Sequence, residues 1–396
     1  MREKRLVLGR QCVGGVPVGA RVRLDRGHSL LVVGPTQSGK TSSLVIPAIL
    51  AWPGPVVVTS VKNDVVAATT PWRATLGDVQ CLEPGRDEGR TWDPLEGLHG
   101  LRHALRVAQS LTSESARAEA EFWNSLAVKL VAGLFVVAQI GGDAIFDVAE
   151  AVESRRWLDW IPHDVTSPHA ALLTSFLHYD PKTLDGVVTT AETMLLPWRF
   201  RQPTARIGDV GAGANTLYLC GARGEHRTYE PLFRGALRRV LEDQQTRHDA
   251  RSALPLLLVL DEAATVASLD ELDQLAATLS GLDVTLVTVV QDFAQLAARW
   301  GARAATIVNN HATRLVLAGL SDPTVGTYLP EVLEAPEGRR VVSLRMRPRN
   351  TGVVVAGHRA LRTVRLRPWW RQRGLRARGR RPASVLWSNG GTVRQP

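Results

Sequence analysis

The chain has 396 residues, 44% hydrophobic and 22% charged, a composition ordinary for a soluble globular protein large enough for more than one structural unit. Its three cysteines, Cys12, Cys81 and Cys220, lie far apart; they exclude a disulfide framework or a cysteine-built zinc site and point to a reducing cytoplasm. The net charge of +10 is uneven, because residues 338–396 hold sixteen arginines and no Asp or Glu while residues 1–337 sum to −6.

Residues 1–27 read as short Gly- and Val-rich strands and turns. An apolar strand from His28 to Val33 then runs into Gly34-Pro35-Thr36-Gln37-Ser38-Gly39-Lys40-Thr41, with Ser42 just after and a helix-compatible stretch to Ala51. The run fits the phosphate-cradling pattern G-x-x-x-x-G-K-[ST], in the strand–loop–helix setting that the pattern requires. Its glycines let successive N–H groups converge on an anion, and the helix start adds partial positive charge. Lys40 is placed to reach the β/γ-phosphates and the Thr41 hydroxyl to ligate Mg²⁺, so Gly34 through Ser42 are the expected ATP-binding residues. Strands are also expected at Pro55–Thr59 and Asp78–Leu82, and this alternation of strand and helix predicts an α/β unit with a parallel sheet.

From about Leu98 the period changes. His103–Thr112, Ala116–Ile140, Ile145–Trp160, Pro168–His178 and Pro181–Trp198 all favour helix. Phe122, Trp123, Leu126, Leu130, Leu134 and Val137 recur at helical spacing, which predicts a packed stripe. No bilayer span is expected. Thr41–Val61 is broken by prolines, and Leu126–Ile140 contains Lys129 and is too short. The expected organisation is a nucleotide-binding domain in two parts, 1–97 and 201–367, an all-helical insert at 98–200, and a basic tail at 368–396.

Strand signals return at Asn215–Cys220, Leu256–Leu260, Val284–Val290 and Thr313–Ala318, with helices at Tyr229–Asp249, Ser268–Ser280 and Phe293–Asn309. Leu256–Leu260 is followed by Asp261-Glu262, an acidic pair at the C-terminal end of a buried strand, where ligands bind in such sheets. Asp261 is the expected Mg²⁺ ligand, and Glu262 is expected to orient and polarise the attacking water. Gln291, ending the next strand, reads either as a sensor of the γ-phosphate or as a turn residue before the helix from Phe293. Lys62 and Asp64 face the same rim. Arg339–Arg367 suggests short strands. Beyond, the Arg- and Gly-rich chain reads as disordered. There Trp369, Trp370, Arg371 and Arg373 set indoles beside guanidinium groups, which suits nucleic acid, an anionic membrane surface or a cap on the core.

The ordered set of motifs resembles the coupling-protein ATPases of type IV secretion and conjugation. It comprises Gly34–Thr41 with Val45-Ile46-Pro47, Trp52–Val58, Phe122-Trp123, Leu258–Ala263, Gln291–Leu296, Trp300-Gly301 and Asn309-Asn310. The resemblance implies a RecA-like P-loop domain with an all-helical insertion and a homo-hexameric ring that hydrolyses ATP. It implies DNA, or a DNA–relaxase complex, as the cargo brought to membrane-embedded secretion subunits. The family's usual N-terminal membrane helices have no counterpart here, so a cytoplasmic chain peripheral to the inner face of the membrane is expected. An arginine finger, if a neighbouring subunit supplies one, has Arg299, Arg303 and Arg314 as candidates. A nucleotide-switched adaptor recruiting a relaxase or secreted protein, and a soluble DNA-pumping ATPase, are the alternative readings.

Overall fold

The structure is a computed structural model and describes residues 5–13, 16–60, 63–84, 90–112, 118–163, 166–199, 203–221, 226–265, 269–321, 323–329, 348–357 and 361–380. Val61, Lys62, residues 339–347 and the tail from Arg381 lie outside them. The chain divides into two compact units, one built from Met1–Gln80, Asp209–Cys220 and Asp243–Pro396, the other from Cys81–Gly208 and Gly221–Glu242.

The strands are β1 (Val7–Val13), β2 (Val16–Arg23), β3 (Leu30–Val33), β4 (Val56–Ser60), β5 (Val79–Leu82), β6 (Thr216–Cys220), β7 (Leu256–Leu260), β8 (Val284–Val290), β9 (Thr313–Leu317), β10 (Thr351–Ala356) and β11 (Arg362–Arg365). They form one sheet in the order β2-β1-β11-β10-β9-β3-β8-β7-β4-β6-β5. From β9 to β6 every pairing is parallel, whereas β10, β11, β1 and β2 extend the sheet antiparallel. β3, β4, β6 and β7 are buried along their whole length, which is why they read as mainly apolar runs. β3 and β4, consecutive in sequence, are separated by β8 and β7. This is a RecA-like P-loop sheet, with β8 inserted between the strand that carries the P-loop and the strand that carries the acidic pair.

A buried cation pins the N-terminal ends of β4 and β6. Arg73 closes the helix Asn63–Arg73 and is fully buried. Its Nε donates to Thr216 Oγ1 at 2.7 Å and its Nη1 to the Trp52 carbonyl at 2.8 Å. Its Nη2 donates to the carbonyls of Gly54 and Ala214 at 2.7 and 2.8 Å. All these partners are neutral. Burial lowers the guanidinium pKa to about 10, still far above physiological pH. The indole Nε1 of Trp52 donates in turn to the Pro255 carbonyl at 3.0 Å, tying in the turn before β7. The fully buried His311, at the end of helix Arg303–Asn310, lies 2.9 Å through Nε2 from Thr288 Oγ1 of β8, while its Nδ1 lies 2.7 Å from the Ile307 carbonyl. A carbonyl can only accept, so Nδ1 carries the proton, Nε2 accepts from Thr288, and the ring is neutral.

In the second unit the central helix is Ala118–Gly141, packed against helices Gly100–Ser110, Ile145–Glu153, Pro168–Ser175 and Pro181–Arg199. It is longer than the apolar run in the sequence, and by length and composition it could cross a membrane. Its apolar face is instead spent on this unit: Leu130, Leu134 and Phe135 are fully buried. The packed stripe begins at Leu126, for Phe122 is 51% exposed. The unit starts earlier in the chain than residue 98 and takes in the first part of helix His226–Asp249. The reason is a tryptophan relay: Trp198 Nε1 donates to the Trp92 carbonyl at 2.6 Å, and Trp92 Nε1 to the Leu232 carbonyl at 2.9 Å.

Three further sequence expectations change. Phe293–Asn309 is two helices, Phe293–Trp300 and Arg303–Asn310, because Gly301 at φ +56° ends the first. The helix Asn63–Arg73, with Pro71 inside it, had no clear signal. The described part of the tail carries regular structure. Trp369–Arg371 forms a 3₁₀ turn and Arg373–Gly379 a helix. That helix packs on those at Ile46–Ala51 and Asn63–Arg73, with the Arg378 guanidinium 4.5 Å from the Trp72 ring and donating to the Leu50 carbonyl at 2.6 Å.

Replacing Arg73 by Leu strands three carbonyls and a hydroxyl in the interior and should lower stability by about 3 kcal/mol or more. A fall in the urea midpoint reads this out; an unchanged midpoint would show the guanidinium to be dispensable. Burial holds His311 down to about pKa 4 from 6.5, with Arg314 pushing the same way. The unfolded chain therefore binds the proton first, and the stability is full above pH 6.5 and is lost as pH falls toward 4, by about 3 kcal/mol in all. Urea midpoints across that window should fall in the wild type and flatten in His311→Gln.

Candidate nucleotide-binding site

The P-loop leaves β3 at Gly34, whose N–H donates to the Val290 carbonyl at 3.3 Å. Gln37 at φ +61° and Gly39 at φ +91° bend the loop through the left-handed region, turning its backbone around a concavity. The helix that follows opens with a wide π-type turn over Thr41–Val45, closed by the Ile46 N–H on the Thr41 carbonyl. Pro47 accounts for it, since its ring nitrogen has no hydrogen to offer the Ser43 carbonyl in ordinary α-helical spacing.

Two glycines are set by close approach. A Cβ on Gly34 would lie 2.8 Å from Leu317 Cβ and 2.9 Å from Ser38 Oγ. A Cβ on Gly39 would overlap Asn350 Oδ1. Asn350, itself at φ +61°, sits just before β10 and stands over the loop. The sequence offered no signal for it, because it is brought there only by the antiparallel return of β10 onto β9.

The acidic pair lies on the same edge. Asp261, 4% exposed, follows β7, and its Oδ2 accepts from Thr41 Oγ1 at 3.3 Å. Thr59 Oγ1 holds the Asp261 carbonyl from β4 at 3.3 Å. Glu262 is partly exposed and adopts φ +55°. For a glutamate that conformation costs about 1 kcal/mol or more. It is locked by the Ala263 N–H on the Val289 carbonyl at 3.1 Å and the Thr265 N–H on the Glu262 carbonyl at 2.8 Å. Gln291 follows β8 on this rim, its N–H donating to Gln295 Oε1 at 2.9 Å, while Asp292 caps the helix from Phe293. Asp64 is exposed after β4.

The residues fit a triphosphate and a divalent cation. Lys40 Nζ donates to the carbonyls of Gly34 and, at 2.9 Å, Pro35, so the ammonium lies within the loop. The Ser38 hydroxyl, within the loop, is buried with no hydrogen-bond partner among the described residues, an unmet polar capacity that a phosphate oxygen satisfies. Octahedral Mg²⁺ with ligands at about 2.1 Å sets neighbouring oxygens about 3 Å apart, which the Thr41–Asp261 pair matches with two hard oxygen donors.

The other expected site residues lie elsewhere. Arg299 pairs with Asp270 at 3.1 Å, and Arg303 donates to the Asp270 carbonyl and lies 3.7 Å from Asp273. Arg314 is on β9 beside Leu31 of β3. Trp369 and Trp370 pack edge to face at 5.9 Å, with Trp370, Arg371 and Arg373 exposed.

Comparison with known proteins gives two family models matching in chain order. The first, described as type IV secretory system conjugative DNA transfer, covers residues 2–155. The second, described as the TraM recognition site of TraD and TraG, covers residues 255–334. The chain belongs to the coupling proteins of type IV secretion and conjugation. This coupling protein is 22% identical over 311 residues to the conjugal transfer protein TraG of Escherichia coli, which is 68% of this chain and 49% of TraG. It is 22% identical over 339 residues to VirD4 of Agrobacterium fabrum, covering 78% of this chain and 50% of VirD4. The chain thus spans about half the length of these relatives. Its fold is shared with the conjugative coupling protein TrwBdeltaN70 in unbound form, with a TM-score of 0.69, 18% identity, and 92% of this chain and 94% of that one covered. TrwB in complex with ADP and Mg²⁺ gives a TM-score of 0.68 at 18% identity, covering 92% of this chain and 95% of that one.

Gly39→Ala combines a left-handed φ with a clash against Asn350 and should weaken Mg–ATP binding at least about tenfold. Titration with a fluorescent ATP analogue measures it; wild-type affinity would contradict the packing described for this loop.

Proposed function

We propose that this coupling protein is an ATP-hydrolysing motor that recruits DNA, or a DNA–relaxase complex, and drives it toward a type IV secretion channel. The observation that carries the reading is the 3.3 Å contact between Thr41 and Asp261, which sets a P-loop hydroxyl and a buried carboxylate at one sheet edge. Gly34 through Ser42 hold the triphosphate, with backbone N–H groups at the helix start facing the phosphates. Thr41 and Asp261 hold Mg²⁺, which when bound withdraws charge from the β/γ-phosphate oxygens. Lys40 exchanges its loop carbonyls for phosphate oxygens, trading neutral acceptors for charged ones. Glu262 orients the attacking water and takes its proton. Gln291 contacts the terminal phosphate from the end of β8.

A homo-hexameric ring at the inner face of the membrane, docked on membrane-embedded secretion subunits, suits a motor of this kind. A head-to-tail ring brings one subunit's arginine to its neighbour's nucleotide. Arg299, Arg303 and Arg314 are the candidates for that arginine, of which Arg299 and Arg303 bond Asp270 within their own subunit.

ATPase rates with and without single- and double-stranded DNA, at two salt concentrations, test the proposal. Lys40→Ala should abolish turnover. Glu262→Gln should keep Mg–ATP affinity while losing at least about 10²-fold in kcat. Full turnover in Lys40→Ala would rule the motor out, and transfer that survives Glu262→Gln would favour the nucleotide-switched adaptor.

A further inference from the structure

A second concavity in the sheet-bearing unit is lined by Ser43, Pro47, Ala48 and Ala51 of the helix that leaves the P-loop, and by none of Gly34 to Ser42. It measures about 580 Å³, the size of a nucleotide-class ligand. Its walls carry Arg10 of β1, Arg21 of β2, Arg365 of β11, and Arg367, Arg371 and Arg373 from the segment that follows. Among the described residues, none of these six side chains has a carboxylate partner and no Asp or Glu lines the cavity. Arg5 and Arg378 complete the wall and are held in place: Arg5 faces Asp25 at 4.0 Å, and Arg378 is fixed by the Leu50 carbonyl and the Trp72 ring.

The floor is apolar. Pro47, Ala48 and Ala51 come from the helix that follows the P-loop, and Leu6, Leu366 and Leu375 close the other sides. Unneutralised cations around a low-dielectric floor concentrate positive potential inside the concavity. Guanidinium groups also present forked donors that match phosphate oxygens. An exposed arginine belt is ordinarily solvated, but gathering so many onto one wall repels them mutually unless an anion sits between.

We propose that this cavity is a second anion site, taking a small ligand with several clustered phosphates, such as an organic polyphosphate or inorganic polyphosphate. Its shape selects the class. A membrane surface is flat and a duplex is convex, so neither brings phosphates to the floor at Pro47 and Ala48. A compact polyphosphate reaches the three strands and the C-terminal segment at once. The site shares a helix with the ATP cradle, Thr41 at its start and Ala51 at its end, so occupancy bears directly on the element that receives the triphosphate.

The test is calorimetry on the full chain carrying Lys40→Ala, which removes the P-loop's grip on phosphate, and on wild type saturated with a non-hydrolysable ATP analogue. The readout is therefore independent of turnover. Inorganic tripolyphosphate and inositol hexakisphosphate are the probes, with a fifteen-residue oligothymidylate and phosphatidylglycerol vesicles alongside. Binding of either small probe at one per chain is expected, weakened at least about tenfold in the double variant Arg365→Gln, Arg371→Gln and steeply reduced by salt. Arg376→Gln, an exposed arginine on helix Arg373–Gly379 that does not line the cavity, should leave affinity unchanged. The single variant Arg367→Gln substitutes if the double variant fails to fold. No binding of either small probe, affinity indifferent to the cavity arginines, an equal loss in Arg376→Gln, or binding only to the oligonucleotide or the vesicles would each overturn the proposal.

Discussion

Strand β8 holds the nucleotide site together without supplying its phosphate-binding groups. It pairs in parallel with β3 on one side and β7 on the other, in a register that sets Val33 beside Val290 and Leu260 beside Thr288. Beyond those pairs its last two carbonyls do the joining: Val290 accepts from Gly34 at the start of the P-loop, and Val289 accepts from Ala263 after the acidic pair. A slip of one residue in either pairing would turn alternate side chains to the opposite face and part Thr41 from Asp261. Such a slip is resisted because β8 is apolar and buried from Leu286 to Val290 except for the equally buried Thr288.

The same sheet handles buried polarity in two ways. Arg73 keeps its charge and is satisfied wholly by carbonyls and a hydroxyl, an arrangement affordable because a guanidinium has five donors in a fixed plane and those acceptors surround it. His311 gives up its charge and bridges the end of helix Arg303–Asn310 to β8 as a neutral ring. Both reside where a turn enters the parallel sheet, so each satisfies backbone or side-chain groups that strand pairing leaves over.

Much of this was legible in the residues. β3 and β7 are unbroken apolar runs and β4 and β8 nearly so, the pattern of strands buried on both faces of a parallel sheet. Gly34–Thr41 and Asp261-Glu262 declared themselves because phosphate and magnesium chemistry demands few residue types at fixed spacing. What escaped was set by distant chain. Asn350 faces Gly39 through the β10–β9 pairing, Trp92 joins the helical unit through Leu232 and Trp198, and the Pro71-containing helix is held by Arg73. The tail from Trp369 to Arg380 looked disordered on composition, since its low apolar content hides two anchoring contacts, on Trp72 and on the Leu50 carbonyl. Phe122 shows the opposite error: helical spacing marks a face, but not how far along it the neighbours reach.

The guanidinium clasp at β4 and β6 has one more consequence. Its partners do not titrate and it holds its proton beyond pH 9, so neither acid nor moderate alkali loosens that end of the sheet. The imidazole between β8 and β9 has no such immunity. Acidification should therefore unzip the sheet directionally, from the flank carrying β9 inward, leaving the β4–β6 flank as the last refuge of native pairing.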